Sequence, residues 1–162
     1  MYNIGDYVVC PGHGVGQVAD IETKSLADQE KTFYVIKLIT NGMKVMVPVQ
    51  SDAGMRTLVG NHEIEGVFTL LADHNVKIDT STWNRRHRDY MLKVKTGSLI
   101  EIADVLRSLF LLKISKKLSF GEKKMLDQCK ELLVKEIAIS QGYPEEMVSG
   151  KIEACFDAPT VN

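Results

Sequence analysis

The hydrophobic period of the chain changes near residue 60, and this switch constrains the fold more than any other feature. Before it, short apolar runs alternate with turn residues; after it, apolar residues recur at helical spacing. Tyr7-Val8-Val9-Cys10 stops at Pro11-Gly12-His13-Gly14, Val15 to Lys24 reads as a second strand, and Phe33 to Ile39 as a third. Asn41-Gly42 separates the third from Met43 to Val49. Asn-Gly between two such runs predicts a type I′ hairpin, because both central residues of that turn need positive φ. So few short strands cannot build an ordinary two-sheet sandwich, and the predicted product is a small, strongly bent sheet or partial barrel. In the last strand Val45, Val47 and Val49 share one side, and Lys44 and Met46 the other. The valines belong inside. Met46 then faces outward, where its thioether either contacts a partner or is covered by a loop of its own chain.

The second part reads as about five helices. Ile64, Val67, Phe68, Leu70 and Leu71 suggest the first, and Trp83, His87, Tyr90, Met91 and Val94 lie on one face of the second, which Gly97 ends. Ser98 with Glu101 is a capping-box pattern opening a third helix, apolar on most sides and therefore central. Ser119 with Glu122 opens a fourth, ending near Gly142, and Pro144 fits the first position of a fifth. The expected fold class is α+β: a β domain over residues 1–60, then an all-α bundle over residues 61–162.

The formal net charge of −1 hides a segregation. Residues 81–124 carry 11 Lys/Arg against 4 Asp/Glu, net +7, while residues 1–66 and 125–162 are both acidic. A basic stripe in one element is the footprint of a polyanion partner. Arg85, Arg86 and Arg88 lie in the first turns of the second helix, where cations oppose the macrodipole. Local stability does not explain them; an external anion would, and a solvated face that tolerates the cost is the plainer reading. The sole Trp, Trp83, stands beside them. It is either a core residue on its stripe or an exposed wedge able to stack on a base.

Other chemistry is sparse. The Gly12-x-Gly14-x-Gly16 run lies between strands and lacks a Walker lysine, so a tight turn accounts for it. Cys10 and His13 are two potential metal ligands with no evident third, and the three cysteines show no CxxC spacing. No nucleophile elbow is present. No catalytic residue, metal site, cofactor or small-molecule substrate is expected. No apolar run is long enough to span a membrane and no signal sequence opens the chain, so the expected compartment is the reducing cytoplasm.

The residues singled out resemble the CarD/CdnL family of bacterial transcription regulators over almost the whole length. The marks are Gly5-Asp6-x-Val8-Val9-x-Pro11-x-His13-Gly14-Val15, then Ile21-Glu22, Val45-Met46-Val47-Pro48 and Gly54-Met55-Arg56. The helical part adds Trp83-Asn84-Arg85-Arg86-His87-Arg88 and Gly121-Glu122-Lys123-Lys124-Met125-Leu126. The resemblance implies an N-terminal Tudor-like domain that binds the β subunit of RNA polymerase, and a helical domain that contacts promoter DNA near the −10 element. The residue matching Trp83 would wedge into the minor groove at the upstream edge of the transcription bubble, with Arg85, Arg86 and Arg88 on the backbone and Lys123 and Lys124 as further DNA contacts. The result would be a stabilised open complex, notably at ribosomal RNA promoters, in a cytoplasmic, nucleoid-associated protein. Lys24 and Met46 match polymerase-facing positions where some members carry arginine, and Cys10 replaces the usual Tyr. The alternative is an interaction module that binds polymerase or a repair partner without touching DNA.

Overall fold

In the computed structural model, which describes residues 1–157, the chain forms two units, Met1–Leu58 and Val59–Asn162. The first is a curled four-stranded antiparallel sheet in the order β1 (Tyr7–Cys10), β2 (Gly14–Leu26), β3 (Gln29–Leu38) and β4 (Lys44–Pro48). A β-bulge between Val18 and Asp20 bends β2, which helps the short sheet wrap around its own core. That core holds Val8, Cys10, Val18, Tyr34, Ile36, Leu38, Val47 and Met55. Gly16 leaves room for its neighbours on β3: a Cβ there would lie 2.4 Å from Ile36 Cγ2. On β4 the alternation places Val47 in the core and leaves Met46 40% exposed. β1 is bridged on its outer side by Arg56, whereas β4 is the other edge of the sheet.

Two turns differ from expectation. Asn41-Gly42 does not make a two-residue I′ turn: only Gly42 has positive φ, at 71°, and the connection runs from residue 39 to residue 43. The Asn41 side chain accepts a hydrogen bond from the Met43 N–H instead, holding a wider loop. The tight turn lies between β2 and β3, at Ala27 (φ 48°) and Asp28 (φ 63°). Both strands extend well past the apolar runs into polar sequence, with Thr23 facing Thr32 and Lys24 facing Lys31.

The second unit contains α1 (Asn61–Ala72), α2 (Trp83–Lys95), α3 (Leu99–Ser115), α4 (Phe120–Gln141) and α5 (Glu145–Ala154). α3 is the central helix, packing against α1, α2 and α4 with Leu99, Ile102, Ala103, Val105, Leu106 and Leu109 buried. At α4 the capping box is complete: Ser119 Oγ accepts from the Glu122 N–H and Glu122 Oε1 accepts from the Ser119 N–H. At α3 Ser98 accepts from Glu101, and Gly142 ends α4 in the left-handed region at φ 71°. Pro144 is the residue before α5 rather than its first turn. No described helix is long and apolar enough to cross a membrane.

Candidate nucleic-acid interface

α2 starts at Trp83 with little local help. Thr82 precedes it without a side-chain cap, and its first turn carries no acid, whereas each of the other four helices has a glutamate there. The helix forms because its inner face buries Arg86, Tyr90 and Val94.

Arg86 departs from the sequence expectation. It is 5% exposed and turned into the protein, so it cannot serve as a surface phosphate contact. Its Nε donates to the Ser81 carbonyl at 3.0 Å, and its Nη2 lies 2.9 Å from Oε2 of Glu122, itself 1% exposed. A guanidinium on a helix's inner face needs a carboxylate there, and α4 supplies it. Burial by itself would raise the Glu122 pKa. The Ser119 backbone N–H, Arg86 and Lys116 (3.5 Å away) outweigh that and hold it at about 2. The ion pair therefore stays charged at neutral pH and ties the start of α2 to the start of α4.

Trp83 sits on this tie. Its indole is half-buried against the helical core. The Arg86 guanidinium carbon is 5.2 Å from its ring centroid, His87 meets it edge-on at 5.4 Å, and Tyr90 lies at 6.2 Å. Below the indole is Gly121, where a Cβ would come within 2.8 Å of Trp83 Nε1. Only glycine lets α4 pass this close. The ring thus has a fixed seat on two helices and an uncovered remainder.

The charge around it divides in two. Within residues 81–124, Arg86, Lys93, Arg107 and Lys116 are held by carboxylates, and Arg107 also donates to the carbonyls of Leu70 and Asp73 at the end of α1. Arg85 and Arg88 on α2, and Lys123 and Lys124 on α4, are exposed and make no ion pair among the described residues. So are Lys113 and Lys117. The structure places Arg85 and Arg88 on the helix that Trp83 opens, and Lys123 and Lys124 within three residues of Gly121, its seat. Sequence reasoning missed the roles of Gly121 and Glu122. Both stand among the marks of the family resemblance without a stated role, and the Ser119 capping box explains Glu122 locally but not its second partner, 36 positions away.

In the first unit, Lys24 and Met46 come together: Lys24 Nζ is 3.6 Å from Met46 Sδ, on the exposed side of the sheet. Cys10 is 4% exposed, and burial pushes its thiol pKa up, the reverse of what a nucleophile or metal ligand needs.

Comparison with known proteins decides the family. The model described as the CarD-like/TRCF RID domain matches residues 2–59, and the one described as CarD, C-terminal domain, matches residues 66–153. The chain belongs to the CarD family. A relative from Bacillus subtilis (strain 168), described as "Putative transcription factor YdeB", is 31% identical over 150 residues, covering 91% of this chain and 97% of the relative. A solved structure described as "CdnLNt from Myxoccoccus xanthus" is 41% identical over 32% of this chain and 72% of its own, with a TM-score of 0.29. CarD membership makes the chain a transcription factor that interacts with RNA polymerase, and not an enzyme. Lys24 and Met46 fall in the RID match; Trp83, the surrounding cations and the Glu122 anchor fall in the C-terminal match.

Proposed function

We propose that this CarD-family chain binds the β subunit of RNA polymerase through the sheet surface bearing Lys24 and Met46, and stabilises the promoter open complex through Trp83. The observation that carries the reading is the seating of Trp83. One side of the indole is fixed by Arg86 and Gly121, and exposed cations that no carboxylate among the described residues holds lie on the same two helices. A half-seated ring can enter an opened base step without first being ordered, and Arg85, Arg88, Lys123 and Lys124 can neutralise the flanking phosphates. Arg86 acts one step back, holding the ring rather than the DNA.

Energetics support a melted site as the target. Wedging costs unstacking energy, which is least where the duplex is already opening, so the contact favours the open state by differential binding. A protein of net charge −1 need not hold DNA tightly alone, because a polymerase anchor supplies effective concentration. At Lys24 the charge is kept without the bidentate fork of an arginine, so packing of Met46 and pairing along the β4 edge carry more of the polymerase contact.

Footprinting of promoter complexes with and without the protein tests this reading. Added protection at the upstream edge of the bubble, lost with Trp83→Ala while polymerase binding persists, is the expected result. Polymerase binding with no added protection would identify an interaction module without DNA contact.

A further inference from the structure

Phe120, the first residue of α4, is 83% exposed, more than any other large apolar side chain among the described residues of the helical unit. It makes no aromatic or cation–π contact among the described residues, and the buried stripe of α4 runs through Met125, Leu126, Cys129, Leu133 and Ile137 without it. Neither folding nor packing accounts for a phenyl ring at this position.

Its neighbours point to a ligand. The next residue is Gly121, against the Trp83 indole, so the contact distance and the fixed spacing of consecutive Cα atoms put the Phe120 Cα within about 8 Å of Trp83 Nε1. The surrounding chain is basic: Lys116 and Lys117 precede the helix, and Lys123 and Lys124 follow within its first turns. The acids there are Glu122, buried in its ion pair, and Asp127 further along the helix. An exposed aromatic face set in a cationic rim is the chemistry that binds single-stranded nucleic acid, where bases stack on rings and lysines follow the phosphates.

We propose that Phe120 is a second stacking residue, receiving an unpaired base of the melted strand next to the step that Trp83 enters. This deepens the reading given above and rests on it: Trp83 would hold the upstream fork open, and Phe120 would hold a base that the fork releases. The occupant is single-stranded DNA, not protein, because the nearest exposed charged residues on either side of Phe120 along the chain are lysines, whose charge complements phosphates.

The test uses full-length protein with polymerase holoenzyme on a promoter carrying 2-aminopurine at the unpaired positions nearest the upstream fork. Open-complex lifetime and 2-aminopurine emission are compared for wild type, Phe120→Ala, Phe120→Trp and Trp83→Ala. The expected result is a lifetime about fivefold shorter with Phe120→Ala and brighter emission as the probe loses its stacking partner, with both restored by Phe120→Trp. Phe120 is exposed, so the unfolding midpoint and the Trp83 emission of free Phe120→Ala protein should match wild type. Shortening by Trp83→Ala with none by Phe120→Ala would overturn this inference and leave the wedge standing. No shortening by either would overturn both. Weaker binding of Phe120→Ala to polymerase without DNA would make Phe120 a protein contact and overturn the inference.

Discussion

Arg86→Met isolates the ion pair beneath Trp83. Methionine keeps the length and apolar stem of the side chain but removes the charge, leaving Glu122 buried at 1% exposure without its 2.9 Å partner. Breaking a buried pair from one side costs roughly 3–5 kcal/mol. Glu122 keeps the Ser119 N–H and Lys116 at 3.5 Å, so the lower end applies and a loss of about 3 kcal/mol is expected. Urea unfolding followed by Trp83 emission measures it, since the only Trp lies in the helical unit and reports that unit alone. The pH dependence adds a second readout. The Glu122 pKa is near 2 in the folded protein against an ordinary 4.5, so the unfolded state takes up its proton first as pH falls. Its stabilisation is complete above the ordinary value and is lost as pH drops toward 2. In Arg86→Met the folded pKa rises and this acid limb flattens. Adding Glu122→Gln removes the stranded charge while keeping a capping-box residue, and should recover much of the loss. A cost below about 1 kcal/mol for Arg86→Met with an unchanged acid limb would refute the claim that this pair anchors α2 to α4.

Three further outcomes follow from close contacts. Gly121→Ala places a Cβ 2.8 Å from Trp83 Nε1 and must displace the indole, so Trp83 emission should shift and open-complex stabilisation fall even though alanine favours a helix; unchanged emission would remove Gly121 as the seat. Gly16→Ala meets Ile36 Cγ2 at 2.4 Å inside the sheet, and overpacking should cost about 1–3 kcal/mol in the first unit. Circular dichroism should show an earlier transition of the sheet while the Trp83-reported transition stays in place. Met46→Ala should weaken binding to an isolated polymerase β lobe about tenfold at most, as measured by calorimetry, because one half-exposed thioether is lost; an unaltered affinity would remove Met46 from that surface.

The parts of the fold legible in the sequence were those written in local chemistry. Ser98, Ser119 and Gly142 mark helix ends because caps act over three or four residues, and the valines of β4 mark a face because side chains alternate along a strand. The outer arm of the β2–β3 hairpin was only partly legible: the second strand was read to Lys24, but Ser25, Glu30 and Lys31 carry no apolar alternation and Ala27-Asp28 turns without glycine. At the candidate site, Trp83 and its basic neighbourhood stood out from composition. Arg86 did not separate from Arg85 and Arg88, because its inward direction is set by a carboxylate on another helix. The seat at Gly121 was equally hidden: a glycine in the first turn of a helix says nothing about an indole approaching from 38 positions away.

Decay of promoter open complexes after competitor challenge, with wild type against Trp83→Ala at two salt concentrations, tests the central claim most directly. Wild type should lengthen the lifetime, less so at the higher salt because phosphate contacts contribute, and Trp83→Ala should lose most of the effect while still binding polymerase. Equal lifetimes for wild type and Trp83→Ala, with both bound, would contradict the wedge.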